Sequence, residues 1–167
     1  MLTSATTEED AATALARYAA RAFDAECVVL ARVGLEDIRQ ASTFAIKRAL
    51  TESDWAAARW TLQKGEATGR GADTLPGARW LFLPLRTSRL IAGVVGVARP
   101  SPLTPGERRR LAAMGDQAAA ALERAHIAQA LEQSRVETEA ERLRGTMLAS
   151  LSHDLRTPIA GILGAAS

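Results

Sequence analysis

Apolar residues recur at helical spacing near the start of the chain: Ala11, Leu15, Tyr18, Ala19 and Ala22, as far as Phe23, which predicts an amphipathic helix. Thr7 stands where a cap is wanted, and Glu8, Glu9 and Asp10 put negative charge at the positive end of the helix dipole. Residues 1–6 carry no such pattern and are expected to be unstructured. The period then changes. Glu26 to Val33 is rich in valine and leucine and reads as a buried strand. Residues 34–42 suggest a turn or weak strand, and Thr43 to Ile46 a second short strand. Ser53 is the expected cap of a helix from Asp54 to about Lys64, carrying Trp55, Trp60 and Leu62 and closed by Gly65. Gly65 to Gly77 holds too many glycines and a proline for regular structure and is predicted as a loop. Arg79 to Arg86 reads as a strand with Trp80, Phe82 and Leu83 as its apolar positions. Leu90 to Ala98 reads as another, with Gly93 and Gly96 permitting close backbone approach. Their short connection predicts an antiparallel hairpin.

A strong helix start follows: Thr104 as cap, Pro105 at the first helical position and Glu107 at the third. No proline then interrupts the pattern until Pro158, a run of roughly 50 residues or about 75 Å of helix. So long a helix needs a partner. Leu111, Met114, Ala118, Ala121, Ala125 and Ala128 keep three-four spacing, which fits a left-handed coiled coil whose small residues allow close approach. From Ser134 to Arg142 the pattern is mostly charged and the stripe shifts before Leu148 resumes it. That offset is either a stutter in the winding or a loosely packed connector. With Leu148 at zero on a helical wheel, Leu151, Leu155, Ile159 and Ile162 fall within roughly 60°, His153 at about 140° and Thr157 at about 180°. The helix is thus expected to bury its leucines and present His153 to water. Helices alternating with an antiparallel sheet indicate an α+β fold with flanking helices and a long C-terminal coiled-coil helix. The pattern divides the chain into residues 1–103, an α+β domain; 104–146, a long helix; and 147–167, the start of a further histidine-bearing segment.

Composition narrows the function. In a chain of 167 residues, 47% are apolar but only 4% aromatic, which favours closely packed helices over a large aromatic-lined cavity. A formal charge of +2, with no basic stripe interleaved with aromatics, argues against nucleic acid as a partner. Arg108, Arg109 and Arg110 form the densest basic run and read as a solvated helix face. The single cysteine, Cys27, lies in an apolar run and reads as a small core residue in a reducing compartment. No apolar run approaches the roughly 20 residues that span a bilayer, and the acidic N-terminus is not a signal peptide. A soluble, cytoplasmic polypeptide is expected.

The chemistry concentrates at His153. An exposed neutral imidazole has a nucleophilic nitrogen. Asp154, adjacent, could hold the ring N–H and stabilise the positive charge that develops as the other nitrogen attacks. Thr157, one turn on, could position a water. Pro158 lacks the N–H that would bond to the carbonyl of Asp154, so a bend is expected just after the histidine. The glycine-rich loop is not a Walker loop, because Gly-Lys-Ser/Thr after four spacers is missing. It either rings a small-molecule or ion site, with Arg70 and Asp73 as polar contacts, or closes over the sheet edge with its glycines serving turn geometry. Nothing else marks a site there, so the second is the expectation, and no metal site is read.

Ser152-His153-Asp154-Leu155-Arg156-Thr157-Pro158 resembles the phosphoacceptor box of sensor histidine kinases. A helix that both opens and closes an antiparallel domain resembles the GAF fold. Trp60-x4-Gly65, then Gly69-x-Gly71-x-Asp73-Thr74-Leu75-Pro76-Gly77, then Leu83-Pro84-Leu85 resembles the GAF domain of the KdpD-type, potassium-responsive sensor kinases. This likeness spans about residues 55–97 and continues in the histidine box. It implies that His153 takes the γ-phosphoryl group of ATP and passes it to an aspartate on a response-regulator receiver domain. It assigns Asp154 as acid–base partner and Thr157 to the phosphatase step. It implies a homodimer through the long helix, and a parent that is an ATP-dependent protein-histidine kinase, anchored in the inner membrane, using ATP and Mg on a further domain. The present residues would be its cytoplasmic portion, without a cofactor of their own and inactive alone. The competing readings are a GAF module that binds a small ligand and dimerises without phosphotransfer, and a purely structural dimeriser.

Overall fold

The computed structural model describes residues 8–33 and 37–165, with side chains described except at 125, 126, 129 and 152–165. The elements are α1 (Glu8–Phe23), β1 (Glu26–Val33), β2 (Asp37–Phe44), α2 (Glu52–Lys64), β3 (Thr68–Gly69), β4 (Leu81–Arg86), β5 (Ile91–Ala98) and α3 (Pro105–Ala165). The chain divides into two compact units, residues 1–126 and 127–167.

In the first unit the five strands form one antiparallel sheet in the order β2-β1-β5-β4-β3. Both faces are covered, which is why the strands read as apolar runs rather than strict alternation. One face takes every second residue, Cys27 and Val29 of β1, Leu81, Leu83 and Leu85 of β4, Val95 and Val97 of β5, beneath α1 and the start of α3. The opposite face takes Val28, Leu30, Trp80, Phe82 and Val94 beneath Ala57, Ala58 and Leu62 of α2. Burial pushes the Cys27 thiol up to about 12, as expected of a core cysteine.

Close approach is built from small residues. The α1 residues against the sheet are mostly alanine: Ala11, Ala12, Ala16, Ala19 and Ala20, with Leu15 and Phe23. Tyr18 and Ala22, expected on that stripe, face solvent instead, because the buried arc is centred on the 11/12, 15/16, 19/20 positions. A side chain at Gly96 would meet the Phe82 ring at 2.6 Å, and one at Gly93 the Leu30 carbonyl at 2.2 Å. Both glycines therefore serve close packing, as predicted.

Several expectations change. The segment read as a weak strand followed by a short strand is one strand, β2, held by β1 across its length apart from a register shift at Val29/Leu30. The first three residues of the segment 34–42, and the Thr7 cap, lie outside the described residues. The cap of α2 is Thr51, not Ser53: Thr51 accepts the Asp54 N–H while the Asp54 carboxylate accepts the Thr51 N–H at 2.8 Å, a capping box that starts the helix two residues earlier. Gly65, at φ 71°, closes it as predicted. The glycine-rich stretch contains β3, whose pairing with Leu81 and Phe82 gives it a partner that local sequence does not reveal. The hairpin β4–β5 is present, and Thr87 staples its turn by accepting from the Leu90 N–H at 3.1 Å.

α3 starts as predicted, with the Thr104–Glu107 capping box. Leu111, Ala119 and Leu122 are buried against the sheet, and Met114, Ala118 and Ala121 pack beside them. The stripe expected to be a coiled-coil seam is thus occupied by the chain's own core over residues 111–122. Gly115 permits this, since a side chain there would meet Leu85 at 3.0 Å. The second unit is helical to Ala165. No helix among the described residues is long and apolar enough to cross a membrane.

Candidate functional site

The histidine box lies in the helical backbone of α3, which runs on through Pro158 to Ala165. His153 and Thr157 are one turn apart along it. The side chains of His153, Asp154 and Thr157, and with them the expected exposure of the imidazole, lie outside the described residues. The helix leading to the box is described. Leu143, Met147, Leu148 and Leu151 are between 54% and 68% exposed, an unusual load of uncovered apolar surface for one helix. Thr138 and Thr146 bond back to the carbonyls of Ser134 and Arg142, so their hydroxyls are absorbed by the helix itself.

The glycine-rich loop is closed on itself. The Gly69 N–H donates to Thr74 O at 2.8 Å, the Arg70 N–H to Trp80 O at 2.9 Å and the Ala72 N–H to Gly69 O at 2.8 Å. Gly69 sits at φ 95° with room for no side chain, as a Cβ would lie 1.9 Å from Trp80 O. Arg108 of α3 donates to the Gly71 carbonyl, and Arg110 lies over the Phe23 ring at 5.8 Å. The arginine run is therefore not a uniformly solvated face; only Arg109 and Arg110 are exposed. Arg70 donates through Nη1 to the carbonyls of Arg99, at 3.0 Å, and Pro100, at 2.6 Å, tying the loop to the end of β5. Asp73 is exposed.

Arg70 also lines a cleft of about 590 Å³ at one end of the sheet. The antiparallel register creates this site. Pairing Glu26 with Ala98, Cys27 with Phe44 and Leu81 with Val97 gathers the start of β1, the ends of β2 and β5 and the start of β4. Five cations line it, Arg21, Lys47, Arg70, Arg79 and Arg99, against Asp24 and Glu26. Phe44, Ala20, Ala25, Ala98 and Pro100 supply apolar wall. Glu26 binds Arg79 and accepts the Lys47 backbone N–H at 2.8 Å. Burial pushes its carboxyl up, but these partners outweigh that and hold it below the usual range.

Arg99 is fully engaged. It grips Glu107 through both Nη atoms, at 3.0 and 2.7 Å, and donates to the carbonyls of Phe23, Ser101 and Pro102. This joins the last turn of α1, the end of β5 and the first turn of α3. Arg99 and the Thr104 N–H and hydroxyl together bring the Glu107 carboxyl down to about 2. None of Arg21, Glu26, Lys47, Arg79 and Arg99 stood out in the sequence. They lie in or beside the ends of different elements, and only strand pairing between distant segments assembles them. Two buried donors, Trp80 Nε1 and Arg108 Nε, have no partner among the described residues.

Comparison with known proteins places these features. The family model described as the GAF domain matches residues 7–124, and the His Kinase A (phospho-acceptor) domain model matches residues 143–167. The sensor protein KdpD of Clostridium acetobutylicum is 41% identical over 119 residues, 71% of this chain and 13% of that protein. The sensor protein KdpD of Escherichia coli K12 is 40% identical over 121 residues, 70% of this chain and again 13% of that protein. The chain thus spans about an eighth of the length of these relatives. Among solved structures, the GAF domain of the potassium sensor histidine kinase KdpD from E. coli superposes with a TM-score of 0.63 at 29% identity, covering 75% of this chain and 88% of that one. The GAF-B domain of DevS from Mycobacterium smegmatis gives 0.57 at 20% identity, covering 74% and 98%, a likeness of fold. The chain therefore belongs to the GAF domain family and is, over that domain, a homologue of the sensor protein KdpD.

Proposed function

We propose that these residues are the GAF and phosphoacceptor portion of a two-component sensor histidine kinase, with His153 as the phosphorylated residue. The observation that carries this reading is the Ser152–Pro158 box, set in helix α3 within the segment that the phospho-acceptor model matches. The imidazole nitrogen attacks the γ-phosphorus of ATP, the bond to the leaving ADP oxygen breaks, and the phosphoryl group then passes to a receiver-domain aspartate. Asp154 holds the ring N–H through the first step, and Thr157 orients the water that removes the group when the kinase acts as a phosphatase. ATP and Mg are held by a further domain of the full-length protein, which is cytoplasmic at this portion and anchored in the inner membrane.

The exposed residues Leu143, Met147, Leu148 and Leu151 support a second copy as the partner of α3, since that stripe has no cover in its own chain among the described residues. A change in how two GAF domains meet would reach the box through α3 and alter its geometry.

The test is phosphorylation of the full-length protein with ATP. Acid-labile label on the wild type and none on His153→Gln, with unchanged dimerisation, is the expected result; label retained in the variant sinks the assignment. Thr157→Ala should slow dephosphorylation more than phosphorylation, and equal loss of both would count against its role. The 167 residues alone should take up no label.

A further inference from the structure

We propose that the cleft at the end of the sheet, between the last turn of α1 and the ends of β2 and β5, binds the phosphate of a small phosphorylated molecule. This inference is independent of the phosphotransfer reading. Of its five cations, Arg99 is neutralised by Glu107 and Arg79 by Glu26. Arg70 donates to two neutral carbonyls and forms no salt bridge among the described residues. Arg21 rests on the Phe44 ring at 5.8 Å and Lys47 is exposed at the rim. Three cations thus face one remaining carboxylate, Asp24, a surplus of two positive charges in a concave site. Clefts lined by one sign of charge concentrate counter-ions.

The donor chemistry selects phosphate. Guanidinium forks match its oxygens in pairs, and the Arg70 and Arg79 bonds already described fix those two while leaving other N–H groups unengaged by them. The Phe44 ring and the alanine wall suit an apolar body attached to the phosphate. The negative end of α1 would oppose an anion, but Arg99 donates to the Phe23 carbonyl and blunts it. Of the three non-glycine residues at positive φ among the described residues, two, Asp24 and Ala45 at 47° and 56°, line the cleft. That is the kind of backbone cost tolerated where a surface is shaped for use.

The source of the phosphate is either a soluble metabolite or a lipid headgroup, and two probes separate them. The 167-residue protein is titrated with inorganic pyrophosphate by calorimetry at low salt. In parallel it is sedimented with vesicles of phosphatidylglycerol mixed into phosphatidylcholine. Saturable binding to one probe is expected, weakened about tenfold by Arg21→Gln together with Lys47→Gln. Arg109→Gln, an exposed arginine outside the cleft, should leave it unchanged. Both cleft substitutions are at the surface, and an unchanged melting temperature verifies that the fold is kept. Binding to neither probe overturns the proposal. So does equal weakening by Arg109→Gln, which would mean diffuse surface charge.

Discussion

Leu111 and Leu143 lie on the same helix, yet Leu111 is wholly buried and Leu143 is 54% exposed. As far as Leu122 the apolar stripe of α3 packs into the core of its own chain; from Ile127 to Leu151 large apolar side chains stand open. Both stretches carry apolar residues at helical spacing, although the second is interrupted by the charged run from Ser134 to Arg142. What separates them is whether another element of the chain is within reach. A helical stripe states that something must cover it and leaves unsaid whether that is a sheet, a second helix or a second molecule.

The sharpest way to break this comparison is to remove a large residue from the first region. Phe82→Ala, fully buried and stacked with Trp80 at 6.2 Å, should destabilise the GAF unit by about 3–5 kcal/mol in denaturant unfolding. A loss under about 1 kcal/mol would mean that the face beneath α2 is not a packed core. Leu111→Ala should follow at about 2–4 kcal/mol, because α3 as far as Leu122 belongs to that core. If it costs no more than an exposed leucine, the division of the helix is wrong.

Smaller effects test the joints. Thr51→Ala should cost about 1 kcal/mol by removing the cap of α2, whereas Ser53→Ala should cost clearly less. Glu107 tests the tie from α3 to β5. Its folded carboxyl titrates near 2 against 4.5 unperturbed, so its stabilisation is complete above pH 4.5 and is lost as pH falls toward 2. Thermal unfolding of Glu107→Gln followed between pH 6 and 2 should therefore show a shallower acid-side decline than the wild type. An identical slope would show that the Arg99 grip does not persist in solution. The smallest effect on folding belongs to the second region. Leu143→Ser should move the unfolding of the GAF unit by less than about 0.5 kcal/mol, yet lower the dimer fraction in sedimentation at micromolar concentration. The reverse pattern would show Leu143 to be covered by its own chain.

The sequence by itself determined what depends on neighbours within a few residues. The two hairpin strands, the Thr104 cap, the Gly65 stop and the histidine box are legible because capping, turn chemistry and a contiguous motif are local. Where two local solutions compete, it chose wrongly: Ser53 over Thr51 at α2, and a loop where Thr68 and Gly69 pair with Leu81 and Phe82. The tertiary structure alone decided which face of α1 is buried, that Arg70 is a brace between loop and strand, and that α3 packs into its own chain's core as far as Leu122. It alone assembled the cationic cleft, whose charges are separated by up to 78 positions, from Arg21 to Arg99. The reason is the same in each case. Strand pairing and packing join residues far apart in the chain, and no periodicity within one segment encodes the identity of the surface that will cover it.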